Sequence, residues 1–125
     1  MDIVLADREA ELMEVLWDFG PATVAEVRDR VSDDLAYTTV LTMLRTLESK
    51  GYVTREADGK AHRYAPRIER DDARRSALRA MSEKFFKGST SMLLTHFVAA
   101  EKLSDGDVQR LRKLLSQRAK KKVKP

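Results

Sequence analysis

A chain of 125 residues has room for one ordinary domain or two small modules with thin cores, which excludes a large enzyme fold. Hydrophobic residues at 42% beside charged residues at 35%, with a net charge of +4, describe a protein that folds behind a charged surface. Zero cysteines and two histidines argue against disulfides, metal sites and thiol chemistry, so no metal or cofactor is expected. With no apolar run near the roughly 20 residues a bilayer requires and no signal-peptide pattern, the expectation is a cytoplasmic protein without direct membrane insertion.

Between Asp7 and Phe19, the residues Leu12, Val15, Leu16 and Phe19 follow helical spacing, with Met13 and Trp17 beside them. Asp7 is the expected N-cap, and Gly20-Pro21 the stop. Thr23-Val24-Ala25-Glu26 reads as a capping box that opens a short second helix burying Val24, Val27 and Val31. A third helix runs from Ala36 or Tyr37 to Lys50, with Val40, Met43, Leu44 and Leu47 inward and Gly51 ending it. Tyr52 to Ala57 and Lys60 to Ala65 form the arms of a two-stranded hairpin, for which Asp58-Gly59 supplies two positive φ angles. The order helix, helix, helix, hairpin is that of a winged helix-turn-helix over residues 1–66. Trp17, Phe19, Tyr37, Tyr52 and Tyr64 are assigned to its core, although Tyr37, opening the third helix, also stands where a phosphate backbone would approach.

Beyond Pro66 the pattern is helical. Leu78, Met81 and Phe85 line one helix, Met92, Leu93, Leu94, Phe97 and Val98 a second, and Val108, Leu111, Leu114 and Leu115 a third, punctuated by Gly88 and Gly106. Ser104 and Asp107 form a capping box that starts the last helix near Asp105. Three short helices make a poor isolated core, so residues 67–119 are read as a dimerisation region packing on a second copy. Leu78, Met81, Phe85, Leu93, Leu94, Phe97, Val98, Val108, Leu111 and Leu115 are its expected contacts, and residues 120–125 are a basic, frayed tail. The fold class is thus mainly α with a small β-hairpin: a winged helix-turn-helix followed by a three-helix dimerisation region.

Opposite its apolar stripe the third helix carries Thr38, Thr39, Thr42, Arg45, Thr46 and Ser49. Threonine offers a hydroxyl to phosphates or base edges and a methyl to thymine, and arginine can bridge O6 and N7 of guanine, so this face suits a DNA major groove. The competing reading is an ordinary solvated helix face. Arg55, Lys60 and Arg63 on the hairpin can meet adjacent phosphates or, equally, form a solvated strand edge. Residues 1–66 carry 8 Lys+Arg against 13 Asp+Glu, a net of −5, and residues 67–125 carry 16 against 7, a net of +9, while Leu35 to Arg63 has 5 against 3, a local +2 that favours DNA only mildly. One module with so few cations should bind DNA weakly, which calls for two copies on a palindromic site.

The runs from Glu9 to Gly20 with Trp17, Thr23 to Val27, Ala36 to Leu44, Leu47 to Val53, Arg63-Tyr64, Phe86-Lys87-Gly88 and Leu103-Ser104 resemble the BlaI/MecI penicillinase-repressor family over nearly the whole chain. The resemblance implies a homodimeric winged-helix transcriptional repressor on double-stranded operator DNA with TACA and TGTA half-sites, blocking transcription until a signal removes it. In β-lactam-responsive members a membrane sensor metalloprotease triggers cleavage at an Asn-Phe bond in the dimerisation helices. The matching pair here is His96-Phe97, in which Phe97 fits and His96 departs. Copper-responsive relatives use a C-terminal cysteine motif that this chain lacks.

The primary expectation is therefore a sequence-specific repressor contacting DNA through Tyr37, Thr38, Thr39, Thr42, Arg45, Thr46, Arg55, Lys60 and Arg63. The alternative is a winged-helix protein-interaction module without DNA, favoured by the acidic first half. An enzyme is not expected, because no nucleophile, base and orienting group and no glycine-rich phosphate loop can be assembled.

Overall fold

The computed structural model describes residues 2–123, so Met1 and the last two residues of the expected basic tail lie outside the described residues. Its elements are α1 (Asp7–Phe19), β1 (Ala22–Thr23), α2 (Val24–Arg30), α3 (Tyr37–Ser49), β2 (Val53–Asp58), β3 (Ala61–Pro66), α4 (Arg70–Phe85), α5 (Thr90–Ala100) and α6 (Asp105–Val123). They divide into two compact units, residues 1–80 and 81–125.

In the first unit Leu12, Met13, Leu16, Val27, Val40, Leu44, Leu47, Val53 and Tyr64 are fully buried in one core, joined by Tyr52 and Ile68. Removing these side chains from water stabilises the unit by about 1.5–3 kcal/mol for each large one. The stripe predicted for α1 thus runs through Leu12, Met13 and Leu16 and does not reach Phe19, which is exposed beneath the Arg30 guanidinium, 3.7 Å from its ring centroid. Tyr37 is also outside the core, half exposed with Arg28 over its ring at 5.9 Å. Both aromatics find a cation at the surface in place of an apolar neighbour.

The capping box of α2 forms as expected: Thr23 Oγ1 accepts the Glu26 N–H at 3.2 Å and Glu26 Oε1 accepts the Thr23 N–H at 3.0 Å. At α1 the N-cap is Ala6 and not Asp7, which sits inside the first turn; Ala6 has no side-chain acceptor, and the Glu9 carboxylate reaches back to accept the Ala6 N–H at 2.9 Å. After α3, Gly51 adopts φ +85°, and Tyr52 N donates back to Leu47 O at 3.0 Å, reversing the chain into β2.

The hairpin belongs to a three-stranded antiparallel sheet of order β1-β3-β2, not to a pair of strands alone. Ala22 lies opposite Tyr64 and Thr23 opposite Arg63; a two-residue strand is too short for alternation to announce it. The turn falls one residue later than expected. Asp58 pairs with Ala61, leaving Gly59-Lys60 as the loop, and only Gly59, at φ +63°, has the positive angle assigned to both Asp58 and Gly59. A glycine-first two-residue loop fits the strand twist equally well.

The division between units falls inside α4, whereas the sequence pattern places it at Pro66. The first turns of α4 are tied to the first unit: Trp17 Nε1 donates to Ile68 O at 2.9 Å, Ser76 Oγ accepts the Ile3 N–H at 3.2 Å, and Arg70 pairs with Glu14 at 2.9 Å. Leu78, expected at the dimer interface, belongs by position to this unit and is exposed.

In the second unit α4 ends at Phe85 and the chain turns through Lys87 (φ +51°) and Gly88 (φ +77°), Ser89 caps α5, and Ser104 with Asp107 caps α6. Gly106 lies in the first turn of α6 and does not punctuate it. Among the large apolar side chains of α5, Leu93 alone is buried; Met81, Phe85, Leu94, Phe97, Val98, Leu111 and Leu115 are exposed and Val108 half-buried. α6 continues to Val123, through positions assigned to a frayed tail.

Candidate nucleic-acid interface

The outer face of α3 is built by what its inner face requires. Val40, Leu44 and Leu47 fix the helix on the core, which leaves Tyr37, Thr38, Thr39, Thr42, Arg45, Thr46 and Ser49 exposed together. Threonine is a mediocre helix former, so this helix depends on that burial more than on propensity. Thr42 Oγ1 donates to Thr38 O at 2.9 Å and Thr46 Oγ1 to Thr42 O at 3.0 Å. Both hydroxyl hydrogens are thereby engaged within the helix, and the outward chemistry of these residues is a methyl group and acceptor lone pairs. Arg45 has no ion-pair partner among the described residues, so its guanidinium is free to be presented to a ligand.

The segments flanking α3 are held by the N-terminal part of α1. Ahead of the helix, Arg8 pairs with Asp33, and Ser32 Oγ donates to Glu11 Oε2 at 2.5 Å. Behind it, the C-cap residue Lys50 donates through Nζ to both oxygens of Glu9 at 2.8 and 2.9 Å. Burial acts against the charged form of Glu9, but the Lys50 hydrogen bonds, the Ala6 N–H and the Lys50 charge outweigh it and hold the carboxyl below its ordinary value. These positions carry the orientation of α3, and sequence pattern gives little sign of them. Ala6, which has no side-chain acceptor, gives no capping signal, and Glu9 and Lys50 are 41 residues apart.

The four wing and helix cations expected at DNA divide into two kinds. Lys60, in the loop between β2 and β3, is exposed and without an ion pair among the described residues, as Arg45 is. Arg55 Nε lies 3.5 Å from Glu48 Oε2, a contact that joins β2 to α3. Arg63 is turned onto its own fold: Nε donates to Asp58 at 2.5 Å, and one terminal nitrogen donates to Glu26 at 2.9 Å and to Pro21 O at 3.3 Å. The Asp58 hydrogen bond, then the Glu26 charge, raises its pKa above the ordinary arginine value. The candidate cleavage pair His96-Phe97 is exposed on α5, with the His96 ring 5.8 Å from that of Phe86, and His62 is exposed on β3. Among the described residues no helix is long and apolar enough to cross a membrane.

Comparison with known proteins gives this geometry its context. The chain is 37% identical over 117 residues to the transcriptional regulator BlaI of Mycobacterium tuberculosis, covering 90% of this chain and 83% of the relative. It is 25% identical over 116 residues to the methicillin resistance regulatory protein MecI of Staphylococcus aureus, covering 91% and 94%. Among solved structures, the DNA-binding domain of the repressor BlaI superposes with a TM-score of 0.51 at 28% identity, over 58% of this chain and 90% of that one. A Bacillus licheniformis BlaI monomer in complex with the blaP half-operator gives 0.50 at 27% identity over the same shares. Residues 5–117 match the penicillinase repressor family model, and with a match of that extent the chain belongs to the penicillinase-repressor family.

Proposed function

We propose that the protein is a transcriptional repressor that binds operator DNA as a homodimer, laying α3 in the major groove and the β2-β3 wing against the neighbouring backbone. The observation that carries this reading is the exposed face of α3, where Arg45, without an ion pair among the described residues, stands among Thr38, Thr39, Thr42 and Thr46. Arg45 reads guanine, the outward methyls of Thr42 and Thr46 meet thymine, and Lys60 with Arg55 contacts phosphate. The complex of the B. licheniformis relative with its half-operator supports operator DNA as the partner.

Dimerisation is assigned to the second unit, where Phe85, Leu94, Phe97, Val98, Leu111 and Leu115 are all exposed, a density of large apolar side chains in water that a second copy would cover. Proteolysis at His96-Phe97, triggered by a membrane sensor metalloprotease, would release the repressor by dividing α5 within that surface.

Fluorescence anisotropy with a TACA/TGTA duplex and a scrambled duplex, at two salt concentrations, tests the reading. Arg45→Ala should reduce the preference between the duplexes by about 1–3 kcal/mol, and Lys60→Ala should weaken both alike. Absence of any sequence preference at low salt would defeat the proposal and favour a protein partner for this surface.

A further inference from the structure

The wing cation nearest the fold is chemically unlike the others. Arg63 lies between Glu26 and Asp58 and also donates to Pro21 O, so one positive charge faces two negative ones within 2.9 Å. A phosphate brought to this guanidinium would meet a local net charge of −1 and would have to share the cation with two carboxylates already bonded to it. The same contacts connect three parts of the chain. Asp58 closes β2 beside the Gly59-Lys60 loop, Glu26 Oε1 also accepts the Thr23 N–H in the α2 capping box, and Pro21 precedes β1. The planar fork of arginine suits such a node, since it offers donors in several fixed directions at once.

We infer that Arg63 is a positioning residue that clamps the wing to the start of α2, and that it makes no phosphate contact of its own. The wing tip is then held where Lys60 can meet the DNA backbone, and Glu26 serves as both helix cap and wing anchor. The inference rests on the DNA-binding reading only for its DNA readout.

Two measurements on the full chain test it. In the first, affinity for a mixed-sequence duplex is followed against salt for Lys60→Gln and for Lys60→Gln with Arg63→Gln. A phosphate contact contributes about 0.9 to the slope of log K against log salt. Lys60→Gln should remove about that much, and adding Arg63→Gln should remove nothing further; a second loss of about 0.9 overturns the inference. In the second, hydrogen exchange of residues 53–66 is measured without DNA. Arg63→Gln and Glu26→Gln should each accelerate exchange at the wing several-fold, with Trp17 fluorescence confirming the fold, and wing exchange at the unmodified rate in both variants also overturns it. If the unmodified protein fails to bind any duplex, the repressor reading fails, and the exchange measurement still decides whether the clamp exists.

Discussion

Removing Lys50 should damage the protein more than removing the charge of its partner Glu9, although each change deletes the same ion pair. The Glu9 side chain is 9% exposed and that of Lys50 39%. Glu9→Gln keeps an oxygen to accept the Ala6 N–H, and the stranded Lys50 ammonium can hydrate, so the cost is about 1 kcal/mol, as for a partly exposed pair. Lys50→Met keeps the aliphatic stem but leaves a buried carboxylate with one N–H partner, for which the loss of charged hydrogen bonds implies about 2–3 kcal/mol. Acid should narrow this difference. In the unmodified protein Glu9 titrates below its ordinary 4.5, so the pair contributes fully above that pH and is lost as pH falls through the lowered folded value. In Lys50→Met, burial without its cation raises the Glu9 pKa, so protonation relieves the variant, and its deficit should shrink on acidification. Urea unfolding followed through Trp17, the single tryptophan and part of the first unit, measures this at pH 7 and below pH 4.5. A Glu9→Gln cost equal to or above that of Lys50→Met, or a deficit independent of pH, would refute the reasoning.

Three further outcomes are expected. Thr23→Ala removes the side-chain cap of α2 and should cost about 1 kcal/mol by the same Trp17 assay. Leu44→Ala, at a fully buried position under α3, should cost about 2–5 kcal/mol and lower DNA affinity for every sequence in proportion to the unfolded fraction. Phe97→Asp, at an exposed position of α5, should leave Trp17 unfolding unchanged while sedimentation equilibrium shows a shift from dimer to monomer; retained dimer mass would remove Phe97 from the interface.

The winged helix-turn-helix is legible in the sequence where burial imposes a period. Val40, Leu44 and Leu47 mark the inner face of α3 and thereby its outer face, and Thr23 with Glu26 marks a helix start by local chemistry alone. What pattern misses is set by contacts between residues distant in sequence. The strand β1 is two residues long and exists because β3 pairs with it. Phe19 and Tyr37 satisfy apolar spacing yet lie at the surface beside arginines, because an aromatic ring can be accommodated by a cation as well as by a core. At the candidate interface residue type identifies Arg45 and Lys60 but does not separate them from Arg63, since that distinction depends on Glu26, 37 positions away. The end of the first unit is obscured for the same reason: nothing local to α4 announces that Trp17 and Ile3 hold its beginning.

The proposed need for two copies follows from the same division of charges. Of the four cations expected at DNA along α3 and the wing, Arg45 and Lys60 have no ion-pair partner among the described residues, Arg55 is shared with Glu48, and Arg63 is neutralised within the fold. Each phosphate neutralised contributes about 0.9 to the salt slope, so one module can draw only a small part of its affinity from the backbone, and the acidic residues of α1 oppose the rest. Pairing through the second unit makes the second half-site an intramolecular encounter, at an effective concentration on the millimolar scale for a short connection. The salt slope measured on a two-half-site duplex should accordingly be about twice that on a single half-site, while the affinity gain should exceed what the added contacts alone provide. Equal slopes on the two duplexes would mean that one copy suffices, and the exposed apolar surface of α5 and α6 would then require a different occupant.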